Sequence, residues 1–260
     1  MSISRRENFK MSIEQLNANL AQIRHFQLHP ELLPHVGQHY DEYRILLIGE
    51  SHYLPTKDVD YGDYIDVFKN WYEDKLEHIP GVSDDEWEKD RSYFNTRNLI
   101  TGFFNGEQHN NSFLAIPNKL FIEVMSQKAK QTKSNSLFSY CAFFNYFQRP
   151  HLREKEGFSF ILPDEAKKTY NIVSEAITAL NPLLVLFIST KASRSYVLNK
   201  YSSYENCSAN VFFHLKKWNC DNGKEVPVNE YQEHLFGHPL RGILNREEIK
   251  RVLSEYLKSF

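Results

Sequence analysis

A carboxylate, a hydroxyl, an imidazole and a phenol occupy four consecutive positions, Glu50-Ser51-His52-Tyr53, directly behind Gly49. Groups of this kind held at one place position a water molecule, move a proton or hydrogen-bond a polar ligand. A serine is no base by itself near neutral pH, so Glu50 or His52 would have to hold the water. Two more side chains with matching chemistry lie far away in the chain. Asn145 interrupts the aromatic run Tyr140-Cys141-Ala142-Phe143-Phe144-Asn145-Tyr146-Phe147. A carboxamide there must find partners or leave costly unpaired donors and acceptors. It either satisfies a neighbouring backbone group or pairs with the amide-like edge of a ligand. His238 stands between Gly237 and Pro239 in the loop from Phe236 to Gly242. A residue before proline is held extended or in a turn, so its ring is aimed, although an isolated loop histidine is more commonly just exposed.

The elements that must position these groups are legible from hydrophobic patterning. Ile45 to Ile48 form an unbroken apolar run ended by Gly49, the mark of a strand buried on both faces. The predicted strand therefore stops at Gly49, and the four polar residues form a turn at its carboxyl end, where open α/β sheets bind ligands. A second strand covers 140–147 and ends at Gln148-Arg149-Pro150. Leu183 to Ile188 predicts a third strand over 183–189, and residues 210–215 a fourth. Between them run helical patterns. Ile13, Leu16, Leu20 and Ile23 recur at three and four residues, predicting one amphipathic helix over Met11 to Phe26. Leu32, Leu33 and Val36 pack the following proline-bearing connection against the sheet. Aromatic-rich helices fill Tyr64 to Phe104, and Pro117 starts another through Lys130. Asp164 and Glu165 open a helix at its positive end, which Asn181-Pro182 stops, and residues 247–260 close the chain with an amphipathic helix. The expectation is a three-layer α/β/α fold with a central, mostly parallel, four-stranded sheet. It forms one domain over 1–260, with an N-terminal helical extension over about residues 1–40.

Composition excludes several classes. Of the 260 residues, 41% are hydrophobic and 25% charged, which fits a globular chain with a real core. No apolar run approaches the roughly 18 residues of a membrane span, and the first ten residues lack a signal-peptide core, so a cytoplasmic location without membrane contact is expected. Cys141, Cys207 and Cys220 are scattered without a CxxC spacing, so no disulfide framework, thiolate metal site or iron-sulfur centre is expected. His234 and His238 are four apart, a zinc spacing on a helix, but Gly237 and Pro239 oppose a helix there. Asp58, Asp60, Asp63 and Asp66 cluster without the ligand order and glycine of a calcium loop. A formal net charge of -2 gives no global basic field for nucleic acid, though a local patch can coexist with it.

Four of these segments, in order from about Arg44 to Gly242, resemble the uracil-DNA glycosylase superfamily. They are Gly49-Glu50-Ser51-His52-Tyr53, Phe144-Asn145 with Arg149-Pro150, Asn181-Pro182-Leu183-Leu184-Val185, and His238-Pro239-Leu240. The resemblance implies a DNA base-excision glycosylase that needs no cofactor and no metal. Its partner would be single- or double-stranded DNA or another nucleobase-containing ligand, met as a monomer. Residue by residue, Asn145 would read the base edge, and His238 would stabilise charge on the departing base. Tyr53 would wall the pocket, Glu50, Ser51 and His52 would handle water, Leu240 would wedge the duplex, Arg241 would contact a phosphate, and Gly49 and Pro239 would belong to the substrate-binding surface.

The chain departs from the pattern at three places. Ser51 stands where the best-known motif has an aspartate, Leu240 stands where serine is usual, and the iron-sulfur cysteines of some members are absent. Two function classes follow. One is a glycosylase acting on uracil or another deaminated or damaged base. The other is a catalytically weak or inactive module that keeps the pocket to bind a nucleotide or nucleic acid.

Overall fold

Ser12 opens the first helix with a reciprocal cap: its hydroxyl accepts from the Gln15 amide at 3.2 Å, and the Gln15 side chain accepts from the Ser12 amide at 2.8 Å. The computed structural model describes residues 11–54, 68, 70–74, 83, 85, 94–106, 112–127, 134, 136–152, 164–189, 192, 195–196, 199, 210–212 and 246–258. In chain order they form α1 (Ile13–Ala21), α2 (Arg24–Leu28), a 3-10 turn (Pro30–Leu32), β1 (His35–Val36), α3 (Tyr40–Tyr43) and β2 (Ile45–Leu54). After these come α4 (Thr96–Phe104), α5 (Ser112–Gln127), a 3-10 turn (Leu137–Ser139), β3 (Cys141–Leu152), α6 (Glu165–Leu180), β4 (Leu184–Phe187), β5 (Asn210–Phe212) and α7 (Arg246–Leu257).

The chain is of the α/β class, with a mixed, mostly parallel sheet in the order β1-β3-β2-β4-β5. Pairs β2–β3, β2–β4 and β4–β5 are parallel, and β1–β3 is antiparallel. The predicted four strands are all present, and the fifth, β1, comes from the connection expected only to pack against the sheet. Two residues are too short to write a period into a sequence. The helix expected over Met11 to Phe26 divides at Gln22 and Ile23 into α1 and α2. Pro117 does not begin its helix but lies inside α5, where it removes one intrahelical bond. Burial of Leu114, Leu120, Phe121, Val124 and Met125 offsets that loss.

Strand alternation divides the core. Ile45, Leu47, Cys141, Phe143, Leu184 and Leu186 belong to one buried cluster with Leu120, Phe121 and Val124 of α5 and Val252, Leu253 and Leu257 of α7. Leu46, Ile48, Ala142, Phe144, Val185 and Phe187 join the other, with Leu16 and Leu20 of α1 and Ile172, Val173, Ala176 and Leu180 of α6. Both central strands run further than expected. Gly49 does not end β2, because β3 continues beside it and offers a partner at each step: Gly49 faces Asn145 and Ser51 faces Phe147. A glycine weakens a strand through its freedom, but its backbone pairs as well as any other. Pro150 likewise does not end β3. Between the pairs Ser51–Phe147 and Tyr53–His151 the register shifts, β3 advancing four residues while β2 advances two. Proline is tolerated in such a bulge because no ladder hydrogen bond is asked of it.

The amino ends of the strands are tied. Arg44, left-handed at φ 50, accepts the Leu183 amide on its carbonyl at 2.9 Å, and its Nε donates to the Asn181 carbonyl at 2.9 Å. Asn181, itself left-handed at φ 47, caps α6, so the starts of β2 and β4 are levelled by the end of that helix. Gly37 is fixed by a close approach instead. Its amide donates to the Cys141 carbonyl at 3.0 Å. A Cβ there would stand 2.4 Å from the Phe138 carbonyl oxygen and 2.5 Å from that of Ser139. Gly37→Ala is therefore expected to lose about 1–3 kcal/mol of stability through overpacking against backbone. A urea midpoint equal to that of the parent would show instead that the Leu137–Ser139 turn yields without cost.

Candidate functional site

The candidate residues whose side chains are described lie midway along β2 and β3, level with the carboxyl end of β4, and the pleat sorts them onto two faces. Continuing the alternation of Ile45 and Leu47 puts Gly49 and Ser51 on the α5 side, and continuing that of Cys141 and Phe143 puts Asn145 there too. Opposite Asn145 stands a residue with no side chain. The Asn145 Oδ1 and the Ser51 Oγ on this face are buried and have no hydrogen-bond partner. Buried polar atoms are nearly always paired, so these two oxygens need donors from a water or a ligand.

Glu50 and His52 fall on the opposite face. Glu50 lies beside β4, and the Ser189 hydroxyl, just beyond that strand, donates to its Oε2 at 2.6 Å. The chain leaves β2 for β3 on one side and returns to β4 on the other, so Glu50 and Ser189 mark the point where strand order reverses, the usual ligand crevice of an open α/β sheet. His52 is 5% exposed, edge-on to Phe94, with Nε2 3.4 Å from Thr96 Oγ1. Burial, with nearby His151 in the same sense and Glu31 opposing, lowers its pKa to about 3. The ring is therefore neutral near pH 7 and a poor proton acceptor, which leaves Glu50 as the better group to hold water.

Sequence reasoning missed what supports this site. Arg149, fully buried in the β3 bulge, donates from Nε to Glu165 Oε1 at 3.0 Å and from a terminal nitrogen to Oε2 at 2.8 Å. Glu165 opens α6 as expected and is also the partner of that guanidinium. Its Oε1 also accepts the Tyr72 hydroxyl at 2.8 Å and lies 3.6 Å from His151 Nε2, and the Tyr72 oxygen is 2.9 Å from Thr169 Oγ1. Burial raises the Glu165 pKa, but His151 and Arg149 together outweigh it and bring it to about 2. Beside this pair the His29 ring stacks on Trp71 at 3.7 Å and that of His25 on Tyr72 at 5.6 Å, while His29 Nε2 meets the Trp71 carbonyl at 2.7 Å. The spacing of His25 and His29 on one helical face was the available signal, and for Glu165 there was none.

The remaining predicted residues are only partly located. Tyr53 is in β2 and its backbone faces His151, but its side chain lies outside the described residues. So do His238, Pro239, Leu240 and Arg241, with His234 and the carboxylates from Asp58 to Asp66. Among the described residues no three His, Cys, Asp or Glu side chains are grouped to hold a metal ion, and no helix is long and apolar enough to cross a membrane. Comparison with protein-family models, with curated proteins and with solved structures finds no match.

Proposed function

We propose that the surface around Gly49 and Asn145, level with the carboxyl end of β4, is a nucleobase pocket, and that the protein is a hydrolase releasing a deaminated or damaged base from DNA. The observation that carries this is the Asn145 carboxamide, buried with an unpartnered oxygen opposite the bare backbone of Gly49. A flipped base presents adjacent carbonyl and N–H groups, which a carboxamide matches with one acceptor and one donor. In this reading residues 1–260 form a single three-layer α/β/α domain, working in the cytoplasm as a monomer on DNA.

Cleavage of an N-glycosidic bond develops a cationic sugar and an anionic base, and a water adds to the anomeric carbon as the base departs. Asn145 holds the base. Glu50, oriented by the Ser189 hydroxyl at 2.6 Å, lies on the other face of β2, and it would take the proton of a water reaching the sugar from the β4 side. By the resemblance of its motif, His238 donates to the charge on the base. The buried Arg149–Glu165 pair holds the bulge that follows Asn145.

The test is base release from a panel of oligonucleotides, each carrying one modified base. Asn145→Ala is expected to abolish discrimination among bases, and Glu50→Gln to slow release by a factor of about a hundred. A second reading, a binding module without turnover, is favoured by Ser51 standing where a carboxylate would be expected. It holds if the wild-type protein binds these oligonucleotides and releases no base from any of them.

A further inference from the structure

Gln148 lies where β3 runs ahead of β2, three residues beyond Asn145, and is 1% exposed. It is fixed at both ends. Its carbonyl accepts Trp71 Nε1 at 3.1 Å, and its side-chain Nε2 donates to the main-chain carbonyl of Asn145. A carbonyl oxygen cannot donate, so this bond decides which end of the Gln148 amide is nitrogen. The other end, Oε1, is buried beside Asn145 without a partner, as is Asn145 Oδ1. The Asn145 amide serves equally well in either orientation toward a lactam, a carbonyl next to an N–H. Gln148 Oε1 is an acceptor only and needs a donor.

We infer that the pocket selects a base whose lactam is flanked by an amino group, the edge of guanine and its derivatives, over one flanked by a second carbonyl, the edge of uracil. This rests on the nucleobase reading of the same site. Guanine offers a carbonyl, an N–H and an amino group in sequence, so Asn145 takes the first two and Gln148 Oε1 the third. Hypoxanthine keeps the lactam but lacks the amino group, and Oε1 stays unpaired. Uracil sets a carbonyl oxygen against Oε1, acceptor facing acceptor. A buried acceptor left unpaired is costly, so the three edges should rank in that order.

The test is calorimetric titration of the full-length protein with guanosine, inosine and uridine. Guanosine is expected to bind about tenfold tighter than inosine, with uridine weaker still. Gln148→Met, similar in length but without the acceptor, should bring guanosine and inosine to within about twofold while inosine affinity is kept. The guanosine-to-inosine ratio is read on the wild-type protein, so the outcome stands even if the variant folds poorly. Inosine or uridine binding as tightly as guanosine would overturn the selection and leave the base pocket intact. Binding of none of the three would overturn the base pocket itself, and this inference with it.

Discussion

Glu165→Ala is expected to lower the stability of the protein by about 3–5 kcal/mol, because it removes the carboxylate that takes two hydrogen bonds from the fully buried Arg149 guanidinium. Both oxygens of Glu165 are engaged, Oε1 by Arg149 Nε at 3.0 Å and Tyr72 at 2.8 Å, and Oε2 by the second Arg149 nitrogen at 2.8 Å. Arg149→Met should be comparably damaging, since it leaves the carboxylate without the guanidinium. Combining Arg149→Met with Glu165→Leu should recover most of the loss, because a buried pair replaced by apolar groups of similar volume is often neutral or better. Tyr72 would keep Thr169 as its partner, 2.9 Å away. Urea unfolding of the two single variants and the double variant makes the comparison. A loss below about 1 kcal/mol for Glu165→Ala would mean that the pair is as weak as a solvated surface bridge.

Acidification from neutral pH is expected to destabilise the protein in two stages. Burial holds the pKa of His25 well below its ordinary 6.5, aided by His29, and brings that of His52 to about 3. Such a group is neutral in the fold and protonates more readily in the unfolded chain. The stability it contributes is thus complete above about pH 6.5 and falls as pH drops toward the folded value. Glu165, at about 2 against an ordinary 4.5, adds a second loss between those two values. Each unit of difference is worth about 1.4 kcal/mol, so both stages should show as a falling urea midpoint. Tryptophan emission is a suitable probe, since Trp71 stacks on His29 with ring centres 3.7 Å apart. His25→Phe keeps a ring against Tyr72 and cannot titrate, so it should flatten part of the slope. Urea midpoints unchanged from pH 7 to pH 5 would contradict this assignment.

The strands that proved easiest to read were those buried on both faces. Ile45 to Ile48 and Leu184 to Phe187 carry apolar residues at every position because each face of the sheet has its own cluster. Residues 50–54 gave no such signal. They are strand because β3 lies alongside with a matching backbone, a partnership that polar side chains do not encode. Asn145 was visible as a polar residue within an aromatic run, and its register with Gly49 follows once both strands are aligned. Glu165 does open a helix, and an acid there has a sufficient local explanation in the helix dipole, so its partner was not legible. Its actual partner, Arg149, sits across a chain crossover, and nothing local to either residue records the pairing. Gln148 reads in the sequence as punctuation at a strand end. A bulge turns it into a buried group, and the bulge is a property of two strands together.

The buried network also explains how β3 can hold a carboxamide whose oxygen is unpaired. Arg149 and Glu165 clamp the bulge to α6, Trp71 holds the Gln148 carbonyl, and Arg44 ties the opposite end of the sheet to Asn181. With so many anchors, Asn145 is not free to turn toward a backbone partner of its own. A rigid carboxamide is what selective recognition of a polar edge requires, since little ordering remains to be done on binding.

Nuclear magnetic resonance of the Asn145 side-chain amide tests the base pocket most directly. Its signal is assigned by its loss in Asn145→Asp, and a nucleoside is then titrated into uniformly nitrogen-15-labelled protein. A base held against Asn145 and Gly49 requires saturable shifts of that side-chain amide and of the Gly49 backbone amide, with a common midpoint. Saturable binding that leaves both signals in place while moving others would put the ligand elsewhere and contradict the base pocket.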